Sequence, residues 1–257
     1  MDSVNYTKNE VKMGQTAIII PARYESTRLK GKPLIEVNGK PIIQWVFEKA
    51  VKANLADRVI IATDNEEICN TALMFGAEAE MTSDHHRSGS DRIAEVVKRH
   101  PEIDYVVNLQ GDEPLIKSES IDDVIKNVRD DEHADISTLI RVLNDKKEID
   151  NPNQVKCVID NNGYALYFSR SKIPFERNEG HAKFYGHLGI YGYKREALLK
   201  MTELPQSVLE LSESLEQLRA LQNGMRIKTS VVDFIPVGID TPEDLEKFKK
   251  ITAAQFS

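Results

Sequence analysis

Short runs of β-branched and aliphatic residues alternate with longer segments of helical period, and this alternation constrains the chain's fold more than any other feature. The runs at 16–20 (TAIII), 58–62 (RVIIA), 78–81 (EAEM) and 105–109 (YVVNL) are strand-length. Between the first two, PIIQWVFEKAVKAN repeats apolar residues at helical spacing with Pro41 at a first-turn position, and NEEICNTALMFG ends on a C-cap glycine, Gly76. RSGSDRIAEVVKRH reads as a third helix. SESIDDVIKNVRD reads as a fourth, opening with a serine and an acidic first turn suited to the helix dipole. Strand, helix, strand in this order is the pattern of βαβ units around a parallel sheet.

After Ala134 the texture changes. DISTLIRVL, QVKCVID, GYALYFSR and GHLGIYGY follow one another as strand-like runs, which suggests antiparallel pairing, and the DNNG between two of them signals a hairpin turn. Helices are expected near Lys194 to Met201 and Leu209 to Asn223, then a strand RIKTSVVD and a last helix opened by DTPEDLEKF. In that helix Asp240 or Thr241 is placed to cap, and Pro242 to take the first turn. The fold class predicted is α/β: a Rossmann-like, mostly parallel sheet flanked by helices, with an antiparallel region.

With 257 residues, 40% of them hydrophobic, the chain can build one such domain with an excursion, or two small lobes. Its formal net charge of −7 removes the general electrostatic footprint of a nucleic-acid binder, so any anion must be bound locally. Cys69 and Cys157 have no metal or disulfide spacing and read as buried thiols of a reducing cytoplasm. No apolar stretch approaches the roughly 20 residues needed to span a bilayer. Residues 1–13 are mostly polar, lack the apolar segment of a secretory signal, and read as a flexible extension, with Met13 a candidate second start.

Ligands of open α/β sheets collect at the carboxyl ends of the parallel strands. Three such ends carry polar clusters here: Pro21-Ala22-Arg23, Thr63-Asp64, and Gln110-Gly111-Asp112-Glu113-Pro114. The loop PARYESTRLKGKP leaves the first of them with Arg23, Arg28 and Lys32 spaced to wrap one polyphosphate, arginine by bidentate forks and lysine as a movable point charge. A solvated charged loop is the plain alternative, disfavoured by its position after a buried strand. Neither the P-loop pattern nor the dinucleotide glycine fingerprint is present: Pro33 follows Gly31-Lys32, and Ser26 stands where the first P-loop glycine belongs. That argues against a nicotinamide dehydrogenase. In NLQGDEP, Gly111 lets the backbone approach a ligand, and Asp112 is suited to a hard cation such as magnesium. Asp240 is the candidate second ligand, with a simple helix cap as its alternative. Glu113 is expected to pair with the loop arginines.

The motifs IIIPARYESTRLKGKPL, ATD, SGSDR, NLQGDEP, YALYFSR, HLGIYGY, LEQLRAL and GIDTPEDLE, covering about Thr16 to Lys249, resemble those of the CMP-Kdo synthetases, the 3-deoxy-manno-octulosonate (Kdo) cytidylyltransferases. The resemblance implies a nucleotide-diphospho-sugar-transferase-like fold in one cytidylyltransferase domain, 14–257. Its nucleotide part spans about 14–133 and its sugar-binding and dimer part about 134–232, and the C-terminal helix returns to the nucleotide part. It implies transfer of CMP from CTP to the anomeric hydroxyl of Kdo, with Mg2+ on Asp112 and Asp240. Arg23, Arg28 and Lys32 hold the triphosphate, and together with Asp112 form the catalytic set. Backbone at Pro21 and Ala22, with Arg92 and Gln110, surrounds the cytosine.

For Kdo the resemblance implies Gln110, Arg170, His187, Tyr191, Glu216 and Gln217. Each of the last five also has an ordinary packing or solvent-facing reading. Ser90 and Asp91 stand where many relatives have Thr and Glu, and Ser212 where an aliphatic residue is common. The implied setting is lipopolysaccharide or capsule precursor synthesis in a Gram-negative cytoplasm, by a homodimer joined through the antiparallel region, with no nucleic-acid or membrane partner. Alternatives are a cytidylyltransferase for a modified Kdo such as the 8-amino-8-deoxy sugar, a sialic acid or sugar-phosphate nucleotidyltransferase, and a non-catalytic nucleotide-sensing module. The last is disfavoured by the presence of both metal-binding acids.

Overall fold

The computed structural model describes residues 14–25, 29–235 and 238–253, so the extension expected over 1–13 and the loop residue Arg28 lie outside the described residues. In chain order the elements are β1 (Gln15–Ala22), β2 (Glu36–Val37), β3 (Lys40–Pro41), α1 (Ile42–Ala50), β4 (Arg58–Thr63), α2 (Glu66–Met74), β5 (Glu78–Met81), α3 (Gly89–Arg99), β6 (Ile103–Asn108) and α4 (Ser118–Asp130). The second half adds β7 (Ile136–Leu143), α5 (Lys146–Asp150), β8 (Lys156–Ile159), β9 (Ala165–Ser169), β10 (Phe184–Lys194), α6 (Arg195–Glu203), α7 (Val208–Glu213), α8 (Gln217–Gln222), β11 (Ile227–Val232) and α9 (Pro242–Ala253).

The main sheet runs in the order β11-β7-β10-β6-β1-β4-β5, with the β8–β9 hairpin attached to β10. β1 sits inside it because its run is apolar on both faces. Ala17 and Ile19 enter one core cluster and Ile18 and Ile20 the other, and all four are fully buried. Successive side chains of a strand point to opposite faces, so a continuous apolar run needs cover on both. β4 and β6 flank β1 in parallel register, and the chain reaches them in opposite directions from β1. The gap between β1 and β6 is therefore a topological switch point, where crevices for ligands form.

The second half is less antiparallel than its sequence suggests. β10 is antiparallel to β6, β7 and β8, and β8 to β9, whereas β7 and β11 pair in parallel. The expected hairpin turn is present, with the Asp160 carboxylate accepting from Asn162 N and Tyr164 N, and Gly163 at positive φ. The helix expected over Leu209 to Asn223 is two, because Ser214 adopts the left-handed conformation (φ 52°) that ends α7. α4 is capped by Lys117 with no side-chain cap bond, and Pro41 is the cap of α1 rather than its first residue. Cys157 is buried, but Cys69 is half-exposed, since only Ile68 and Ala72 of α2 point inward. No helix among the described residues is long and apolar enough to cross a membrane.

Candidate active site

Lys32, where the cationic loop ends in a 3-10 turn, is the centre of the site. Its Nζ lies 2.6 Å from Asp112 Oδ2 and 3.2 Å from Asp240 Oδ1, although these acids are 128 residues apart in the chain (240 − 112). Three packing events bring Asp240 there. Ile239 N donates to the Asp112 carbonyl at 2.9 Å, which pins the incoming segment to the loop after β6. Phe248 of α9 meets Trp45 of α1 edge to face, 5.6 Å between centroids, and anchors the helix over the nucleotide half. Thr241, not Asp240, caps α9: Asp244 N donates to Thr241 Oγ1, and Asp244 Oδ2 accepts from Thr241 N. The Asp240 carboxylate is thus turned to the site instead of the helix end.

Lys32 and Asp112 face a cavity of about 340 Å³ whose wall also includes Pro21, Ala22, Arg23 and Gln110. Gly111 also lines this cavity, and it serves a local purpose as well. A Cβ there would stand 3.0 Å from the Pro21 carbonyl oxygen, so glycine lets the ends of β1 and β6 close on one another. Arg23 is half-buried, and its Nη2 has no hydrogen-bond partner among the described residues. Burial first, and then the neighbouring Arg92 cation, push its guanidinium below the usual arginine range. A buried, unsatisfied cationic donor at a cavity wall is poised for an anion.

Arg92 stands behind that wall rather than in it. It is fully buried, with its guanidinium on the Asp64 carboxylate and 2.5 Å from Thr82 Oγ1. The polar end of β4 is occupied by this pair, which also holds a negative charge behind Arg23. The α3 start is built as a capping box, Ser88 with Asp91. Glu113 does not pair with an arginine among the described residues, and its Oε2 lacks a partner. Burial, followed by repulsion from Asp112 and Asp240, pushes its carboxyl up to about 8.

Of the six residues expected around the sugar, Gln110 lines the cavity at the strand ends, and the other five lie on or beside β9, β10 and α8. Arg170 follows β9 and spends its donors on backbone: Nε on Glu213 O (2.7 Å) and Nη1 on Pro152 O (3.2 Å). His187 and Tyr191 lie on β10, and the imidazole sits between Phe168 (5.0 Å between centroids) and Tyr191 (5.3 Å). The Thr138 hydroxyl donates to Ile190 O at 2.7 Å, so its oxygen, 3.0 Å from His187 Nε2, accepts from that nitrogen. Nδ1 is then the acceptor of the ring, and burial pulls the imidazole down to about 3. Burial raises Tyr191 well above the usual phenol range. Glu216 caps α8 and accepts from Ser90 Oγ at 2.7 Å, which links the start of α3 to α8, while burial holds its carboxyl above the ordinary range. Gln217, the first residue of α8, is buried.

A second cavity of about 510 Å³ lies on the other side of the α3 start, between α6, α7 and α8. Arg87 and Arg219 line it against Asp91, Glu210 and Glu216, and Arg219 is held by Glu210 at 2.8 Å and 2.5 Å, so the cavity at the strand ends is the better receptor for a polyphosphate. Sequence reasoning missed Thr138, Glu213 and Lys156, each a polar residue at an inward position of the second half. A lysine inside the apolar-flanked run QVKCVID was the one visible signal.

Comparison with known proteins shows the family. A family model described as cytidylyltransferase matches residues 17–227. The 3-deoxy-manno-octulosonate cytidylyltransferase of Fusobacterium nucleatum subsp. nucleatum is 48% identical over 229 residues, covering 89% of this chain and 93% of that protein. That of Thermodesulfovibrio yellowstonii is 49% identical over 248 residues, 91% and 97% of the two chains. A solved CMP:2-keto-3-deoxy-manno-octonic acid synthetase complexed with CTP superposes with a TM-score of 0.91 at 41% identity, covering 94% of this chain and all of that one. The chain belongs to the cytidylyltransferases and, within them, to the family of the 3-deoxy-manno-octulosonate enzymes.

Proposed function

We infer that this protein transfers CMP from CTP to the anomeric hydroxyl of Kdo, forming CMP-Kdo and pyrophosphate. The observation that carries the reading is the meeting of Asp112 and Asp240 on Lys32, beside the unsatisfied Arg23 donor, at the β1–β6 switch point. In the reaction the anomeric hydroxyl oxygen attacks the α-phosphorus, its proton passes to solvent, and the bond to the bridging oxygen of the leaving pyrophosphate breaks. Arg23, Arg28 and Lys32 bind the triphosphate. Backbone at Pro21 and Ala22 and the side chain of Gln110 border the cytosine, and Arg92 acts from behind by holding Asp64. Arg170, His187, Tyr191, Glu216 and Gln217 hold the sugar, with His187 Nδ1 accepting from a hydroxyl.

The donor set fits magnesium, because Asp112 and Asp240 are two hard oxygen ligands that already address one cation, the Lys32 ammonium. Magnesium on these acids would neutralise charge developing on the transferred phosphoryl and the leaving pyrophosphate. The protein works as a cytoplasmic homodimer supplying lipopolysaccharide or capsule synthesis. Exposed Leu166 on β9 and Phe175 beyond it are apolar groups suited to a subunit contact, and a light-scattering mass of one chain would refute the dimer.

The deciding assay is pyrophosphate release from CTP and magnesium with Kdo, its 8-amino analogue, N-acetylneuraminate or a hexose 1-phosphate. Kdo-dependent release is expected. A preference for the amino analogue moves the assignment to the modified sugar, and no release with any acceptor favours a nucleotide sensor.

A further inference from the structure

Lys156 is the only lysine among the described residues that is fully buried. It occupies the middle of a three-stranded unit, opposite Ser169 on β9 and Gly186 on β10. Its Nζ donates to three backbone carbonyls: Asn151 O at 2.8 Å, Gln154 O at 2.6 Å and Arg170 O at 2.6 Å. Three acceptors require three N–H groups, so the geometry is that of a charged ammonium with every donor used. Burial first, and then the Arg170 cation, pull it below the usual lysine range, so the carbonyl cage works against a real desolvation penalty.

The caged loop reaches two of the sugar-side residues. The Arg170 carbonyl is itself part of the cage, and Arg170 Nη1 donates to Pro152 O within the same loop. His187 N donates to Val155 O at 2.8 Å, and Gln154 Nε2 donates to His187 O at 3.3 Å. Gly186 leaves room for that amide, since a Cβ there would lie 2.8 Å from Gln154 Nε2. One ammonium therefore ties the 151–155 loop, which contacts His187, to the end of β9.

We propose that Lys156 is a positioning residue for the acceptor sugar: it fixes the 151–155 loop and, through it, the relative placement of Arg170 and His187. The proposal rests on the reading that these two residues hold Kdo. Lys156 touches no substrate itself, because its three donors are taken. Its effect on substrate binding falls on the acceptor rather than on CTP, since none of its three partners is Arg23, Lys32, Asp112 or Asp240.

The test is steady-state pyrophosphate release by wild type, Lys156→Met and Gln154→Ala, varying Kdo at saturating CTP and CTP at saturating Kdo. Ile68→Ala on α2 serves as a destabilised control with its defect outside the sugar-side half. Misplacement of contact groups by about an ångström changes rates by up to about a hundredfold. The KM for Kdo is therefore expected to rise between about tenfold and about a hundredfold in Lys156→Met, and less in Gln154→Ala. The KM for CTP should stay within about twofold of wild type in both, and the control should shift neither.

Unchanged Kdo dependence in Lys156→Met overturns the inference, as do parallel rises in both KM values or the same rise in the control. Should Lys156→Met not fold, Gln154→Ala decides alone, and a wild-type KM for Kdo there overturns it. Absence of Kdo-dependent release from the wild type instead overturns the functional reading, and the inference with it.

Discussion

At the carboxyl ends of β1 and β6, charge meets charge directly: Lys32 bridges Asp112 and Asp240, and the Asp240 side chain is 58% exposed. Around β8, β9 and β10 the cations address backbone instead, with Lys156 on three carbonyls and Arg170 on Glu213 O and Pro152 O. The difference separates two kinds of dependence. A side chain that contacts only other side chains can be removed while the backbone stays where strand packing holds it. Removing one that clamps carbonyls releases the loop as well. Substitutions on the nucleotide side should therefore disable chemistry with the fold intact, and substitutions on the acceptor side should mix affinity with stability.

The sharpest way to break this contrast is at the acids. Asp112→Ala and Asp240→Ala are each expected to lower kcat by about a thousandfold or more, since loss of a metal ligand removes several kcal/mol of charge stabilisation. The melting temperature should move by no more than a few degrees. An Asp240→Ala enzyme with near wild-type turnover would remove that residue from the metal site and leave it a structural neighbour of Lys32.

Next in size is a stability effect on the acceptor side. Arg219 and Glu210 are both nearly buried, so Arg219→Met strands a carboxylate and should cost about 3–5 kcal/mol of unfolding free energy in chemical denaturation. A loss under about 1 kcal/mol would mean that this region tolerates uncompensated charge and would blur the comparison. Smaller again, Arg23→Met should reduce kcat/KM for CTP by about tenfold to a hundredfold, the worth of a charged hydrogen bond to phosphate, with Kdo saturation unchanged. A defect seen in Kdo saturation alone would take Arg23 out of the triphosphate clamp.

The two sides also differ in how much of them the sequence discloses. NLQGDEP, PARYESTRLKGKP and the order of the βαβ units are local patterns, and local patterns determine strand ends, caps and the switch point where the cavity opens. The hairpin turn at 160–163 is legible for the same reason. What is hidden depends on distant partners. Arg92 reads as a site residue until the Asp64 carboxylate and Thr82 hydroxyl claim it inside the core. Asp240 reads equally as a helix cap until Thr241 takes that role. The break at Ser214 separates two helices because a single residue turns left-handed, which periodicity does not register. Lys156 breaks the alternation of its strand, but its meaning comes from carbonyls contributed by two separate segments.

The smallest expected effects have opposite signs on the two sides, which makes pH the finest probe of the comparison. Glu113, pushed up to about 8 by burial and then by Asp112 and Asp240, holds its proton more tightly folded than unfolded. Its contribution to stability is complete below its ordinary value of about 4.5 and is lost as pH rises through about 8. His187, pulled down to about 3 by burial, is neutral in the fold and must gain a proton on unfolding in acid. Its contribution is present above about 6.5 and is lost as pH falls towards about 3. Melting curves without divalent cations across that range should show Glu113→Gln gaining a few degrees near pH 9 and nothing near pH 4. His187→Gln should flatten the acid limb and leave the alkaline one unchanged. If instead Glu113→Gln is neutral at high pH, the Glu113 carboxylate is better satisfied than its unpaired oxygen implies. The nucleotide side would then hold this buried carboxylate matched, as the acceptor side holds Lys156.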